Sequence, residues 1–211
     1  MTQKRRLDTT SLMDKICEFA EKIATPYTYA NSKEPETEMQ IHFGKYMSKC
    51  WRVLREVSVP AKKEIDGCGK NHWEIDETLY VQGVDGTTFY ITGELKLHTE
   101  RMSDTRNFVD QVVADVKRMK YISHEYFNVP MGFALFITCN KKECDAVKSE
   151  IRNMQDISKC IVKKNGQYYA LIVEIIPSCS SSPYDYFSHW SDRMNYLTKK
   201  NLLKNNSFPK L

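Results

Sequence analysis

The chain has 211 residues, of which 41% are hydrophobic and 27% are charged. These proportions are typical of a folded globular protein and exclude a fibrous or largely disordered chain. The formal net charge of +4 permits a polyanionic partner without requiring one. No apolar run approaches the roughly 20 residues that a membrane-spanning helix needs. We therefore predict one domain over residues 1–211, with a core at about 35–177, an N-terminal helical extension at 1–30 and a C-terminal tail at 183–211.

The cysteines indicate a reducing compartment. There are seven, an odd number, and no two of them form a CxxC pair. The polar start, Lys4-Arg5-Arg6, lacks the pattern of a secretory signal peptide. Scattered cysteines in such a chain are expected to be free thiols, so we expect a cytoplasmic protein.

Helical periodicity first appears near the N-terminus. Apolar residues recur at helical spacing from Leu12 to Ile23 and predict a first helix. A second helix is predicted to begin at Pro35, since proline suits the first turn of a helix. Its predicted buried face runs as far as Leu54 and consists of Met39, Phe43, Tyr46, Met47, Cys50, Trp51 and Leu54. Residues 55–72 contain proline and glycine breaks and are predicted to be a connection.

Two alternating segments then predict a β-hairpin. On the first strand, one face is apolar and comprises Trp73, Ile75, Leu79 and Val81. The second strand, from Tyr90 to His98, carries an apolar face and a polar face in the same way. Between the strands, Asp85-Gly86 is a hairpin turn signal.

The remaining elements mix helices and strands. We predict a helix over 107–123, an almost continuously apolar strand over 131–138, a charged helix over 141–154 and a closing hairpin from Cys160 to Ile176. This order predicts an α/β or α+β fold with a mixed central sheet flanked by helices. Beyond residue 183, aromatic and basic residues are interleaved, which is typical either of a packed helix or of a nucleic-acid-binding surface.

The candidate site lies on the hairpin. Glu94 and Lys96 share one face of their strand, and Asp76 is expected on the neighbouring strand. Carboxylates are the ligands that Mg²⁺ or Mn²⁺ prefers, and the backbone carbonyl of Leu95 can complete such a site. Lys96 would then orient a water molecule or stabilise charge on a phosphate. The alternative is a surface ion pair of little energetic value.

Two assignments stay open at this point. The tripeptide Glu-Ile-Asp occurs twice, so that either Asp66 or Asp76 can be the metal-binding aspartate. Glu36 opens the buried stripe of the second helix, where it either points into a cleft or complements the helix dipole. Glu38 is expected to face solvent, but whether Glu36 or Glu38 is the site acid of this helix stays open. The tripeptide Asp115-Val116-Lys117 also has the acid-x-Lys spacing, but it lies within a predicted helix and is not assigned to the site.

This pattern, over about residues 35 to 138, resembles the PD-(D/E)xK nuclease superfamily. In that resemblance, Glu36 is the acid of the first helix, Asp76 the metal-binding strand aspartate, and Glu94 and Lys96 the ExK pair. Gln111 is similar to a glutamine near the start of the following helix in several families. His98, on the catalytic face, is a further accessory candidate. No proline precedes Asp76, where Ile75 stands instead.

The resemblance implies a restriction-endonuclease-like αβββαβ core and Mg²⁺-dependent (or Mn²⁺-dependent) hydrolysis of DNA phosphodiester bonds. The expected enzyme is an endonuclease of restriction, repair or phage-related type, and short members often act as homodimers. A second hypothesis is a non-cleaving nucleic-acid-binding or assembly module that retains the fold. A third is a hydrolase of small nucleotide phosphate esters.

Overall fold

The structure, a computed structural model of the chain, describes residues 10–22, 29, 32–62, 65, 72–82, 86, 88–99, 105–177 and 186. Over these residues the chain forms four helices and six strands. In chain order they are α1 (Thr10–Lys22), α2 (Pro35–Met47), β1 (Arg52–Pro60), β2 (His72–Gln82), β3 (Thr88–His98), α3 (Thr105–Glu125), β4 (Met131–Thr138), α4 (Lys141–Arg152), β5 (Ile157–Asn165) and β6 (Tyr168–Ile175).

The strands form one mixed sheet in the order β1-β2-β3-β4-β6-β5. The pairing of β3 with β4 is parallel, and every other pairing is antiparallel. Parallel neighbours need a crossover connection, and α3 lies within that connection between β3 and β4. The predicted α+β architecture with a mixed central sheet is therefore confirmed.

Helices cover both faces of the sheet. Apolar residues of α1 and α2 pack on one face, and those of α3 and α4 pack on the other. β4 is buried along its whole length, as its continuous apolar run predicts. Each helix has an apolar stripe for this packing; that of α3 contains Phe108, Val112, Val116, Met119 and Ile122.

Over residues 48–60 two predictions were wrong: that the second helix continues as far as Leu54, and that a connection begins at residue 55. The second helix ends at Met47, and the chain forms an edge strand from Arg52 to Pro60. Leu54, predicted on the helix, therefore belongs to β1. Val57 and Val59 of this strand are buried at period two, the spacing that identifies a strand.

The apolar face of β2 also differs from the prediction. Trp73 and Ile75 pack toward α3, whereas Leu79 packs toward α2. A regular strand would place all three on one face, so the alternation reverses between Ile75 and Leu79. The reversal coincides with Glu56 of β1, whose φ of 53° is left-handed and which the pairing with β2 skips. Strand β2 is thus distorted beside Asp76.

The thiol prediction holds where the structure tests it. The five cysteines in the described part of the chain are free, while Cys68 and Cys179 lie outside it. In that same part, none of the helices combines the length and apolarity required to cross a lipid bilayer.

Most of the tail predicted from residue 183 lies outside the described residues. Tyr186 is the exception, and it is fully buried against the rings of Tyr90 and Tyr126. Its N–H donates to the side chain of Asn128 at 2.9 Å. Tyr186 is therefore packed against the rest of the domain, as expected from the first of the two interpretations of the tail.

Candidate functional site

The candidate site lies where β2 and β3 separate. Their ladder runs from the pair Gln82–Thr88 to the pair Glu77–Gly93 and stops there. Asp76 and Glu94 occupy the next positions in register, where the two strands no longer pair. Beyond this fork, residues 94–98 of β3 pair with β4 on one side only. Two backbone N–H groups on the other side, those of Leu95 and Leu97, are bound by carboxylates instead.

Asp76 binds the first of these N–H groups. Its Oδ2 accepts a hydrogen bond from the Leu95 N–H at 2.8 Å. Its carboxyl group also shares side-chain hydrogen bonds with Glu94 and Gln40. Burial raises the pKa of Asp76 although these hydrogen bonds and the charge of Lys96 oppose the shift. The N–H and C=O of a strand residue project toward the same edge, so the Leu95 carbonyl lies at this edge as well.

Glu36 binds the second N–H group. Its Oε2 accepts from the Leu97 N–H at 3.2 Å, and its Oε1 accepts from Lys96 Nζ at 3.1 Å. Glu36 lies in the first turn of α2, so this helix aims its N-terminal end at the open edge of β3. Glu38 is exposed on the same helix. The structure thus brings Glu36 rather than Glu38 to the site.

Glu94 is deeply buried at the fork, with 4% exposure. Its Oε1 has no hydrogen-bond partner among the described residues. Burial, followed by the neighbouring charges of Asp76 and Asp115, raises the pKa of Glu94 well above its ordinary value. A buried carboxyl group in this environment is stabilised in its charged form only when additional positive charge comes close.

A fourth acid, Asp115 of α3, was not assigned to the site from the sequence. It is 3% exposed, and its Oδ2 has no hydrogen-bond partner among the described residues. Burial raises its pKa to about 6, although Arg118 and Lys96 act in the opposite direction. The sequence did indicate that Asp115 is buried. It follows Val112 by three residues and precedes Met119 by four, which places it on the buried stripe of the helix.

Arg118 contacts two of these acids. Its Nη2 lies 3.7 Å from Glu94 Oε1 and also contacts Asp115 Oδ1. Burial disfavours the charge on Lys96, but Asp115, Glu36 and Asp76 together outweigh this effect and raise the pKa of the ammonium group. Four carboxyl groups and two cations thus meet at the fork. When all are ionised, the site carries an excess of two negative charges, which is the charge that one divalent cation would balance.

A second layer supports the site from the α2 side. Gln40 hydrogen-bonds Asp76, and its Oε1 accepts a hydrogen bond from Arg55 Nη2 at 3.5 Å. Arg55 Nε donates to Glu77 Oε1 at 3.3 Å. Glu77 is fully buried beside Gly44 of α2, where an added Cβ atom would lie 3.4 Å from Glu77 Oε1, an ordinary van der Waals distance. This acid was also missed from the sequence, although a glutamate in the middle of an apolar strand is a signal for a buried partner.

Glu77 gives the fold a predictable pH dependence. Burial raises its pKa from 4.5 to about 8, although Arg55 opposes the shift. The folded chain therefore holds a proton that the unfolded chain has released, so the free energy of unfolding falls as the pH rises between these values. We expect Glu77→Gln to match the wild type near pH 4, where Glu77 is protonated in both the folded and the unfolded chain, and to be more stable by about 1–3 kcal/mol at pH 9.

Urea unfolding of both proteins at several pH values measures this difference. Glu74→Gln is the control, because Glu74 is exposed on the same strand. Parallel pH profiles for the wild type and Glu77→Gln would contradict a raised pKa at Glu77.

The accessory candidates lie at different depths. Gln111 is exposed on α3, one turn before Asp115. His98 is buried, and its Nδ1 lies 2.7 Å from Glu143 Oε2, which also accepts from Thr138 at 2.5 Å. Both assignments remain predictions. Asp66, the alternative metal-binding aspartate, lies outside the described residues.

Within the described ranges, no three His, Cys, Asp or Glu side chains are placed to hold a metal ion together. Of the four carboxyl groups around the fork, those of Asp76 and Glu94 share a hydrogen bond, and the Leu95 carbonyl lies at the same edge. Mg²⁺ is usually bound through one or two carboxylates, with water and substrate oxygens completing the octahedron. This donor set fits that mode of binding.

Comparison of the chain with known protein families, with curated proteins and with solved structures finds no match.

Proposed function

We propose that the protein is a metal-dependent nuclease that hydrolyses DNA phosphodiester bonds and belongs to the PD-(D/E)xK superfamily. The observation that carries the proposal is the meeting of Glu36, Asp76, Glu94 and Lys96 at one fork in the sheet. Lys96 contacts Glu36, which is 60 residues earlier in the chain, and Asp76 reaches the strand of the Glu94-Leu95-Lys96 tripeptide. These are the four positions that the resemblance requires.

The order of elements is consistent with this proposal. From α2 to β4 the chain runs helix, three antiparallel strands, helix, and a strand parallel to the third. This order corresponds to the αβββαβ core expected of the superfamily. The candidate residues come from the helix that opens this unit and from its second and third strands.

Asp76 and Glu94 would hold the metal ion, with the Leu95 carbonyl as a further ligand. A bound Mg²⁺ or Mn²⁺ would supply a water of lowered pKa and would neutralise charge on the phosphate. Glu94 is deeply buried, and its Oε1 has no hydrogen-bond partner in the part of the chain that the structure describes; both observations support a cation at this point.

Lys96 would act on the phosphate or on the attacking water. Glu36 holds its ammonium group at 3.1 Å, and the two side chains retain 22% and 30% exposure. A phosphodiester can therefore approach Lys96 from solvent. Because its pKa is raised, the group remains a cation at neutral pH and stabilises negative charge that develops on phosphate oxygens.

A cleavage panel tests the proposal. Purified protein is incubated with plasmid, linear, branched and single-stranded DNA and with RNA, in Mg²⁺, Mn²⁺ or EDTA. We expect cleavage of DNA in the presence of either metal and none in EDTA. Asp76→Ala should abolish it, because the variant loses both a metal ligand and the acceptor of the Leu95 N–H.

Glu74→Ala is the matched control, since Glu74 lies on the same strand and is exposed. It should retain wild-type cleavage. If every substrate remains intact with both metals while DNA is still bound, the nuclease proposal fails and the non-cleaving binding module replaces it. Hydrolysis of mononucleotides, measured in a separate assay, would instead support the third hypothesis, a hydrolase of small nucleotide phosphate esters.

A further inference from the structure

The contacts of Arg118 bear on how the proposed site changes when it binds a metal ion. Its guanidinium group touches Asp115 and lies 3.7 Å from Glu94 Oε1. Both acids are more than nine-tenths buried, and each has one oxygen without a hydrogen-bond partner among the described residues. Such oxygens normally cost free energy unless a partner arrives. They indicate that this side of the fork accepts a further cationic or hydrogen-bonding group.

Arg118 and a divalent cation would compete for the same carboxylate. Glu94 is the proposed metal ligand, and Arg118 is a positive group within ion-pairing distance of it. Arg118 retains 21% side-chain exposure, so part of its side chain already lies at the surface, and a movement away from Glu94 would carry the guanidinium group outward. Repulsion between Mg²⁺ and the guanidinium group would favour that movement.

We infer that Arg118 is a built-in counter-ion of the metal-free site, which a divalent cation displaces from Glu94 toward the phosphodiester substrate. The inference rests on the proposed function, because it assigns Glu94 to the metal. Asp115 is a positioning residue in this scheme: it keeps its contact with Arg118 and sets the direction in which the guanidinium group moves. A displaced arginine beside the substrate would bind phosphate oxygens through its planar fork of N–H donors.

Metal affinity measures the competition directly. Binding of Mn²⁺ is followed by isothermal titration calorimetry and by the electron paramagnetic resonance signal of free Mn²⁺. Arg118→Gln should bind Mn²⁺ more tightly than the wild type, by about 5- to 150-fold, the usual range of coupling between two sites. Arg118→Lys keeps a positive charge and should remain close to the wild type. Lys117→Gln, an exposed neighbour on the same helix, is the control.

The outcomes separate this inference from the proposed function. Equal or weaker Mn²⁺ binding by Arg118→Gln overturns the counter-ion role, whether or not the wild type binds metal. Tighter binding by Arg118→Gln supports it. Loss of Mn²⁺ binding in Glu94→Gln supports the metal assignment on which both depend, and unchanged binding in that variant overturns that assignment.

A second measurement follows Arg118 in the wild-type chain, so that its positive charge is retained. The Nε–H signal of Arg118 is identified in the ¹⁵N–¹H spectrum by its absence in Arg118→Lys. It should shift as Mg²⁺ is added and should follow the same binding curve as calorimetry carried out with Mg²⁺. A signal that stays constant while metal binds overturns the displacement. Single-turnover cleavage at saturating Mn²⁺ tests the phosphate contact: slower cleavage by Arg118→Gln supports it, and unchanged cleavage removes that part of the inference.

Discussion

Lys96→Met is expected to lower the single-turnover rate of DNA cleavage by about 100- to 1000-fold, the usual effect of losing one charged group that stabilises a transition state. Methionine keeps most of the aliphatic length of lysine but removes the ammonium group that Glu36 holds at 3.1 Å. Binding of DNA in EDTA should change little by comparison, because one cation among many contributes modestly to a polyelectrolyte interaction.

The chain supplies its own control for this experiment. Lys117 belongs to the second acid-x-Lys tripeptide, Asp115-Val116-Lys117, but it is exposed on α3. Lys117→Met should cleave at the wild-type rate. Equal cleavage rates for Lys96→Met and the wild type would show that Lys96 takes no part in the reaction. The nuclease proposal would then lose the lysine that the resemblance requires.

Gly93→Ala is expected to destabilise the fold by about 3 kcal/mol, at the upper end of the usual cost of overpacking. A Cβ atom at this position would lie 2.1 Å from Cζ of Phe133, which pairs with Gly93 across β3 and β4. Phe133 is fully buried and also packs against the ring of Phe43 at 5.6 Å. Because the ring is buried among packed side chains, either the ring or the backbone next to Glu94 would have to shift.

A double-mutant cycle with Phe133→Leu isolates this contact. Leucine is smaller than phenylalanine, so Gly93→Ala should cost less in the Phe133→Leu background, and urea unfolding measures all four proteins. If the changes in the free energy of unfolding are additive, the contact with Phe133 is not the reason that position 93 requires glycine. Far-ultraviolet circular dichroism of each variant verifies that the comparison is between folded proteins.

The sequence alone predicted most of the elements, though not β1, and three members of the candidate site. Alternation along residues 73–81 and 89–98 identified two strands, because side chains on a strand repeat every two residues. The same local rule placed Glu94 and Lys96 on one face, and the hairpin placed Asp76 opposite Glu94. Helical spacing located α1, α3 and α4 to within a few residues. Predictions of this kind succeed because they depend on neighbours close in the chain.

Tertiary structure decided what depends on distant neighbours. The sequence left Glu36 and Glu38 as alternatives, and the direction of α2 relative to the open edge of β3 selected Glu36. Asp115 was set aside as part of a helix, although that helix packs over Glu94. The reversal in β2 lies beside the left-handed backbone of Glu56 in the paired strand, 20 residues earlier than Asp76. A local sequence pattern predicts which residues share a face of a strand or helix. Which faces meet is decided only by tertiary packing, because burial and charge interactions act between groups that are far apart in the chain.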